Sequence, residues 1–499
     1  HDATGKRAGF GELVEVASAM PVVTKAPLLD AKDRTLTGAS TARLDIPRKT
    51  DGSAVFGIDV QVPGMRVASV LRCPVFGGKV ASFDATKASG LAGVTHVVSL
   101  GNAVGVVATD HWSALQGRRA LSVTWDEGPF AEQSSATIAA TLEELSKEKG
   151  AVANAIGDAP AAIDKAKKKV DAVYRVPFLA HATMEPLNAT AWVGPDRCEV
   201  WAPTQGAAWT VGPIVEMTGL PESKVTVHMT LLGGGFGRKA EADFVLEAVA
   251  LSKATGTPVK VIWTREDDTQ HDYYRPATWN SLRGSLDAEG WPAAWSHRIV
   301  GPSILSRLGV PLPNGIDRTS VECAANLPYP FADFLAEYRV ADLGVPVGFW
   351  RSVGASQNAF VAECFFDELC AAGGKDPFEA RRRLLEKSPR FKAVLELAAE
   401  KAGWSTKLAP NADGYRRGRG IAIAESFGTI VAQVAEITLA KRTVRVDRVV
   451  CALDCGDVIH PDTVEAQMQG GIVYGLTAAL YGAITIEKGR AKQANFHDY

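Results

Sequence analysis

The most regular alternation of apolar and polar positions in the chain surrounds a run of glycines. Residues 224–229 alternate as a half-buried strand does, and the apolar positions in 244–252 recur at helical spacing. Gly256 stands where a helix C-cap is expected, and residues 258–263 form another strand pattern. The pattern predicts a strand, a glycine loop at 231–239, a helix and a second strand.

The loop itself has the sequence Leu-Leu-Gly-Gly-Gly-Phe-Gly-Arg-Lys. Glycines let a ligand approach the backbone, and the N–H groups at a helix N-terminus lack partners, so the loop predicts an oxyanion site. A dinucleotide fingerprint needs a third glycine where Arg238 stands, and a P-loop needs Gly-Lys-Ser/Thr where Arg238-Lys239-Ala240 follows. Both nucleotide interpretations fail, whereas a glycine-rich turn without a ligand stays open.

Elsewhere the patterns mix strands and helices and predict an α+β fold. Strand patterns occupy 54–60, 65–71, 96–100, 105–108, 429–440 and 443–454, and helix patterns occupy 112–117, 136–148 and 358–370. The chain is divided into an N-terminal arm or linker (1–42), a first α+β unit (43–150), an Ala/Lys/Asp-rich linker (151–170), a long mixed unit (171–415) and a final unit (416–499).

Composition narrows the class of protein. The 54 basic and 56 acidic residues give a net charge of −2, which excludes the electrostatic footprint of a nucleic-acid-binding protein. No apolar run is long enough to cross a bilayer. The seven cysteines form no C-x-x-C pair, which predicts buried free thiols and argues against an iron–sulfur cluster in this chain. A start at His1 is expected of a fragment or processed product.

Four further segments, in a fixed order with the glycine loop, resemble one family. They are Ala180-His181-Ala182-Thr183-Met184-Glu185-Pro186, Trp201-Ala202-Pro203-Thr204-Gln205, Gly348-Phe349-Trp350-Arg351-Ser352-Val353-Gly354-Ala355-Ser356-Gln357, and Asp454-Cys455-Gly456 followed by Gln467-Met468-Gln469-Gly470-Gly471. The chain is similar to the molybdenum-cofactor large subunits of the xanthine dehydrogenase/aldehyde oxidase family. Within that family it most resembles the isoquinoline 1-oxidoreductase β-subunits and bacterial membrane-linked aldehyde dehydrogenases, from about residue 43 to 499.

The resemblance implies a hammerhead domain at 43–150, followed by elongated mixed α+β molybdopterin-binding domains of which the second is truncated. It implies molybdopterin with molybdenum, in the cytosine dinucleotide form, and electron transfer to a separate small [2Fe–2S] subunit. A cytochrome c subunit is a further partner that it allows. The implied reaction is hydroxylation of an electron-poor carbon with oxygen from water. A bacterial, periplasmic or periplasm-facing location is expected, with the leader outside this chain.

The resemblance also implies the cofactor-binding residues, namely Gln205, Gly235, Phe236 and Gly237. Gln205 matches a glutamine that hydrogen-bonds the molybdenum oxo group, and Phe236-Gly237 match the loop packed against the metal centre. The metal is held through the pterin dithiolene, so no protein ligand is expected and neutral amide donors support it. A surface glutamine and a tight turn with a core phenylalanine are the alternatives.

For the substrate, the resemblance implies that Arg351 orients it and that Phe427 stacks on it. A structural ion pair and a core phenylalanine are the alternatives. His181 and Glu185 are expected to be structural. Arg238 and Lys239 are expected to form a solvated face, with a phosphate contact as the alternative.

The chain departs from the family at three points. Ala240 occupies the position of a glutamate that grips the ring in purine-oxidising relatives, which argues against a purine. A Met-Gly-Gln-Gly strip and the general-base glutamate of a Gly-Glu-Pro sequence are absent from the 499 residues. The expected substrate is an N-heteroaromatic such as isoquinoline, or an aldehyde, and a non-catalytic scaffold subunit is the alternative.

Overall fold

The computed structural model describes residues 3–409 and 414–499, which form two compact units. One consists of residues up to Arg43 together with Asp457–Gln467, and the other of Leu44–Gly456 together with Met468–Tyr499. The α-helices of the described residues are α1 (Phe10–Ser18), α2 (Ile46–Thr50), α3 (Thr86–Ser89), α4 (His111–Arg119), α5 (Ser135–Ser146), α6 (Ala159–Lys165), α7 (Ala207–Thr218), α8 (Asp243–Thr255), α9 (Arg265–Gln270), α10 (Ile304–Arg307), α11 (Ala355–Gly373), α12 (Pro377–Leu384), α13 (Pro389–Ala402) and α14 (Pro461–Leu480).

The strands pair into several sheets. They are β1 (Arg66–Arg72), β2 (Lys79–Asp84), β3 (Val94–Ser99), β4 (Ala103–Ala108), β5 (Ser122–Asp126), β6 (Ala151–Ile156), β7 (Lys168–Val176), β8 (Asn188–Val193), β9 (Cys198–Ala202), β10 (Val225–Met229), β11 (Val259–Ile262), β12 (Thr278–Leu286), β13 (Pro292–Gly301), β14 (Asp333–Val340), β15 (Arg416–Ser426), β16 (Thr429–Ala440), β17 (Thr443–Asp454), β18 (Ile486–Glu487) and β19 (Arg490–Ala491).

The smaller unit has little core of its own. No residue of α1 is buried. Its two segments are joined by hydrogen bonds, from the Gly38 N–H to the Ile459 carbonyl at 3.0 Å and from His460 Nε2 to the Thr41 carbonyl at 2.7 Å. Residues 3–42, predicted as an arm, are therefore tied to a segment that follows β17.

A seven-stranded sheet in the larger unit has the order β10-β9-β8-β11-β1-β4-β3, with parallel pairs at β10/β9 and β1/β11. Its buried face packs on α7 and α8 through side chains such as Ile214, Phe244 and Val249. Strands from the segment predicted as a separate hammerhead domain thus share a sheet with strands that follow residue 171. Local periodicity identifies a strand but leaves its partner undetermined, which is why the shared sheet was not foreseen.

A five-stranded sheet has the order β6-β14-β13-β12-β7. Its first strand lies in residues 151–170, so the prediction of a linker there is wrong. Asp158 caps α6 by accepting from the Ala161 N–H at 3.1 Å, and Ala159 and Ile163 are buried. The four lysines that suggested a linker are all exposed: Lys165 ends α6, Lys167 precedes β7, and Lys168 and Lys169 begin β7.

Helices α11–α13 pack in one core with side chains of the five-stranded sheet and of the sheet β15-β16-β17. The predicted hairpin at 429–454 and the helix around 358–370 are confirmed as β16–β17 and α11. Asp376 caps α12 by accepting from the N–H groups of Phe378 and Glu379 at 2.9 and 3.0 Å. Mixed sheets covered by helices confirm the α+β class.

The strand predicted at 54–60 is wrong. A 3₁₀ turn at Gly57–Asp59 replaces it, because the Asp59 carboxylate accepts from the Phe56 N–H at 3.0 Å and closes the turn. Among the helices of the described residues, none has both the length and the apolar composition needed to span a membrane.

Candidate cofactor and substrate site

The glycine loop connects β10 to α8 and has an unusual backbone. Gly234, Phe236 and Gly237 have φ angles of 96°, 53° and 113°, in the left-handed region that side chains other than glycine rarely adopt. A phenylalanine held there costs conformational energy, of the kind that clusters at functional sites. The loop shape is therefore imposed by its surroundings and is not the default of the sequence.

The loop does not lead directly into a helix, as the sequence predicted. A 3₁₀ turn at Arg238–Ala240 intervenes, and α8 begins only at Asp243. The prediction of an oxyanion site made by the first turn of this helix is wrong, because that turn lies several residues beyond the glycines. Any donor group at the loop must come from the loop itself or from a neighbouring segment.

Gly235 and Gly237, two of the predicted cofactor residues, are each packed so closely against a neighbouring segment that a side chain has no space. A Cβ atom added to Gly235 would lie 2.4 Å from Gln205 Oε1. One added to Gly237 would lie 1.6 Å from the backbone oxygen of Phe349. Glycine is required at both positions by close approach, and at Gly237 by its φ angle as well.

Gln205 lies in the loop between β9 and α7 and is joined to the glycine loop twice. Its N–H donates to the Lys239 carbonyl at 2.8 Å, and its side-chain Oε1 accepts from the Gly237 N–H at 3.0 Å. With the oxygen occupied, the amide NH₂ remains as an uncharged donor, and it has no acceptor among the described residues. The predicted pair of Gln205 and Gly237 is thus brought together.

Three aromatic rings form a stack behind the loop. The rings of Phe236 and Tyr474 are 4.5 Å apart at an interplanar angle of 23°, and those of Tyr474 and Trp350 are 4.5 Å apart at 18°. The Tyr474 hydroxyl donates to the His181 carbonyl at 3.0 Å, and Trp350 Nε1 donates to the Ala180 carbonyl at 3.1 Å. Tyr474 was missed by the sequence analysis, because it follows the Gln467–Gly471 motif at a position that no local pattern marks.

A buried network of charged side chains adjoins the aromatic stack through His181, whose carbonyl accepts from Tyr474. His181 Nδ1 lies 2.9 Å from Asp272 Oδ1, and its Nε2 lies 2.8 Å from the Phe349 carbonyl oxygen. Arg238 pairs with Asp243 through two bonds of 2.8 and 2.6 Å and with Asp272 at 3.0 Å. Burial alone would raise the pKa of Asp272, but His181 and Arg238 offset it and the net shift is downward. His181 therefore holds the carbonyl that faces Gly237.

Arg238 and Lys239, predicted as a solvated face, are fully buried, so that prediction is wrong. Lys239 Nζ donates to Glu185 Oε2 at 2.7 Å, and the same oxygen accepts from the Gly233 N–H at 2.8 Å. Burial raises the pKa of Glu185, but the ammonium of Lys239 outweighs it and lowers the pKa overall. The structural role expected for Glu185 agrees with these contacts, which fix the start of the glycine loop.

Arg351 lies in a tight turn after Trp350. The two residues that follow it, Ser352 and Val353, have φ angles of 66° and 52°. A Cβ added to Gly471 would lie 3.5 Å from Arg351 Nη2, so the guanidinium lies against the helix that carries Tyr474. Arg351, Trp350 and Tyr474 line a cavity of about 430 Å³. Arg351 is thereby brought to the same site as the stack, and its action on substrate stays a prediction.

Phe427 is not brought to this site. It forms the turn between β15 and β16, with a φ angle of 51° and 82% of its surface exposed. It does not line the cavity that contains Arg351. Its predicted stacking on substrate gains no support from the structure.

Within residues 3–409 and 414–499, no group of three or more His, Cys, Asp or Glu side chains could hold a metal ion. All seven cysteines are free thiols, and four of them are buried. The donors near the glycine loop are instead amides and backbone N–H groups. Such neutral donors suit a metal that is carried by an organic ligand, since they support its oxygen atoms without competing for coordination.

The sequence matches two family models, each described as a molybdopterin cofactor-binding domain, over residues 144–385 and 378–499. Isoquinoline 1-oxidoreductase subunit beta of Brevundimonas diminuta is 33% identical over 93% of this chain and 61% of its own length. A membrane-bound aldehyde dehydrogenase [pyrroloquinoline-quinone] of Gluconacetobacter polyoxogenes is 28% identical over all of this chain and 70% of its own length. The chain thus spans less than two thirds of the first of these relatives.

Quinoline 2-oxidoreductase of Pseudomonas putida 86 has the same fold, with a TM-score of 0.78 over 94% of this chain and 89% of its own and a sequence identity of 15%. The family models cover the glycine loop, Gln205, Arg351 and Tyr474. The chain therefore belongs to the molybdopterin-binding large subunits of the xanthine oxidase family.

Proposed function

We propose that this chain forms the cofactor-binding part of a molybdenum hydroxylase that oxidises an N-heteroaromatic compound or an aldehyde with oxygen from water. The observation that carries the proposal is the hydrogen bond from the Gly237 N–H to Gln205 Oε1, which turns a neutral NH₂ donor away from the loop. The amide cannot lose its proton or ligate a metal strongly, so it would donate to an oxygen ligand of the cofactor without displacing it.

The site fits molybdopterin at the points that can be compared. Gln205 and Phe349 fill the space that side chains would need at Gly235 and Gly237, so the loop is held in one fixed shape beside the proposed cofactor. Gln205 supplies an amide donor beside them, and Phe236 provides a flat apolar wall whose position is fixed by Tyr474. When bound, the molybdenum–pterin group supplies two-electron oxidation and activates water. The cytosine dinucleotide form is part of the proposal.

The chain's own residues position the substrate. Arg351 projects into the 430 Å³ cavity, whose walls include Trp350 and Tyr474. Its guanidinium can hold negative charge that develops on a heterocycle nitrogen or a carbonyl oxygen. The flat rings limit the orientation of an aromatic substrate. The scaffold alternative gains no support, because the relatives are named as oxidoreductases and this chain has a neutral donor at Gln205 beside the glycine loop.

The electron acceptor of the proposal is a separate small [2Fe–2S] subunit, since no cysteine cluster among the described residues could hold iron. The isoquinoline relative is a subunit beta, which agrees with a hetero-oligomer. A cytochrome c subunit and a periplasmic or periplasm-facing location complete the proposal. Co-purification with the native host's partners and fractionation of its cells test these two points.

Turnover in ¹⁸O-water tests the reaction directly. The purified holoenzyme, with its partner subunits and an artificial electron acceptor, is offered isoquinoline and benzaldehyde in separate reactions. Incorporation of one ¹⁸O atom into the lactam or the carboxylate supports hydroxylation with water oxygen. Turnover with the label absent from both products, or no turnover of either compound by molybdenum-loaded protein, contradicts the proposal.

A further inference from the structure

The cavity beside Arg351 is lined by positively charged and aromatic side chains. Three arginines line it, namely Arg175, Arg275 and Arg351, and none of the described residues that line it carries a carboxylate. Trp350 and Phe360 supply aromatic surface. Its volume of about 430 Å³ lies in the range of small-molecule sites. A small, flat, negatively charged molecule would match both the charge and the shape of these walls.

Arg275 is the decisive residue, because its charge is buried without a counter-ion in the part of the chain that the structure describes. The side chain is about 5% exposed, and Nη2 donates to the Pro177 carbonyl at 2.9 Å. Nε is buried and has no hydrogen-bond partner among the described residues. Burial lowers the pKa of Arg275 to about 10, with weak opposition from Tyr499 and Tyr474, so the guanidinium is still charged at neutral pH.

Other buried arginines of this chain show what Arg275 lacks. Arg238 is paired with Asp243 and Asp272, and Arg381 with Glu363 at 2.9 Å and Asp367 at 2.6 Å. A buried cation without such a partner is strongly unfavourable, and its persistence calls for an anion from outside the chain. The position of Arg275 in the wall of a cavity makes such an anion accessible.

The aromatic walls favour an anion that carries a flat ring. The Arg275 guanidinium carbon lies 5.7 Å from the centroid of the Trp350 ring. Trp350 is in turn stacked on Tyr474, and both rings line the cavity. Arg175 stands at the exposed rim, 4.5 Å from the Trp279 ring, and forms no ion pair within the described ranges. It can attract an anion towards the cavity without itself being buried.

We propose that this cavity binds an aromatic carboxylate, with the carboxylate on Arg275 and the ring against Trp350. Binding is independent of molybdenum. The further step, that the substrates are N-heteroaromatics or aromatic aldehydes that carry a carboxylate, rests on the proposed function. Guanidinium–carboxylate pairs are directional and charge-assisted, so the neutral amide of the same shape should bind far less well.

Calorimetric titration of the purified protein with benzoate, benzamide and inorganic phosphate tests the proposal, in molybdenum-loaded and metal-free preparations alike. Benzoate is expected to bind about 10- to 100-fold more tightly than benzamide, since a charged hydrogen bond is lost with the amide. Arg275→Gln should bring this ratio close to one. Arg197→Gln is the matched control, because Arg197 also lies on a tryptophan face, 4.4 Å from Trp192, but outside the cavity. It should leave the ratio unchanged.

Equal binding of benzoate and benzamide by the wild type, or binding of neither, overturns the proposal. Phosphate that binds as tightly as benzoate and displaces it would assign the cavity to a phosphate group and also overturn it. If Arg275→Gln does not fold, a crystal structure of the wild type with benzoate decides. A carboxylate in hydrogen-bond contact with Arg275 supports the proposal, and benzoate bound elsewhere contradicts it. Benzoate binding by metal-free protein separates this result from failure of the proposed reaction.

Discussion

The side-chain oxygen of Gln205 accepts a hydrogen bond from the backbone N–H of Gly237 at 3.0 Å, although the two residues lie 32 positions apart in the chain. This bond fixes the amide orientation, because only the oxygen of the amide can accept from an N–H group. It makes the NH₂ group the outward-facing part of Gln205. A donor of fixed direction and no charge is the feature that the proposed cofactor requires.

Replacing that donor should impair the site without unfolding the protein. In Gln205→Glu the carboxylate still accepts from Gly237, but the NH₂ donor is replaced by a negative oxygen. We expect turnover to fall about 10- to 100-fold, the value of one lost hydrogen bond to a charged group. The measurement is kcat of the holoenzyme, normalised to molybdenum content. Gln116→Glu on α4 is the control, and equal activity of the two variants would contradict the role of Gln205.

Gly237→Ala should be one of the most damaging small substitutions in the chain. Its Cβ would lie 1.6 Å from the Phe349 oxygen at a φ angle of 113°, so one of the two segments must move. We expect the melting temperature to fall and cofactor content to drop with it. Gly219→Ala is the matched control, with a φ angle of 75° but nothing within 4 Å of the added atom, and should cost about 1 kcal/mol. A Gly237→Ala protein no less stable than this control would refute the close packing.

Lys239→Met should destabilise the fold although it removes no catalytic group. The substitution leaves the buried Glu185 carboxylate without its cation, which costs about 3–5 kcal/mol in comparable pairs. Denaturant unfolding measures the free energy change. Lys147→Met is the control, because Lys147 pairs with Glu144 on the surface and little change is expected there. If the two variants unfold at the same denaturant concentration, Lys239 does not carry the role assigned to it.

We predict that the buried ring of His297 makes the stability of the fold sensitive to acid. The ring is buried on β13, its Nε2 lies 3.0 Å from Asn280 Oδ1, and burial lowers the pKa of His297 to about 3. The unfolded-state pKa is about 6.5, so the unfolded chain binds a proton more readily than the native one. Its contribution to stability is therefore complete above pH 6.5 and is lost as the pH falls from about 6.5 to 3.

The free energy of unfolding should fall by about 1.4 kcal/mol for each pH unit in that range on account of His297 alone. Glutamine does not titrate, so the free energy of unfolding of His297→Gln should depend less steeply on pH. The difference in slope should correspond to one proton. His96→Gln on β3 is the control, since that ring is exposed in the folded and the unfolded chain alike. An unchanged slope in His297→Gln contradicts the assignment. Urea unfolding between pH 4 and 7 provides the measurement.

The sequence predicted individual elements better than their partners. The glycine loop, α8, α11 and the β16–β17 hairpin follow from local periodicity and caps, which the nearest residues decide. The segment predicted as a linker at 151–170 contains strand and helix: its lysines are exposed, but Ala159 and Ile163 of the same segment are buried. The membership of β1, β3, β4 and β8–β11 in one sheet depends on long-range packing, which no local pattern contains.

The candidate site shows the same division. Gln205, Gly235, Gly237 and Arg351 could be named from motifs. The burial of Arg238 and Lys239 could not, because two of the carboxylates that pair with them, Asp272 and Glu185, lie far away in the chain. Tyr474 was likewise identified only by its ring contacts with Phe236 and Trp350.

The binding of molybdopterin is the claim on which the other functional proposals depend, and metal and pterin analysis tests it most directly. The protein is purified from a host that loads molybdenum hydroxylases, together with its partner subunits, and assayed for molybdenum and for the fluorescent pterin released by acid oxidation. We predict about one molybdenum and one pterin per chain, both strongly reduced in Gly237→Ala but not in Gly219→Ala. Folded wild-type protein that contains neither molybdenum nor pterin would contradict the account.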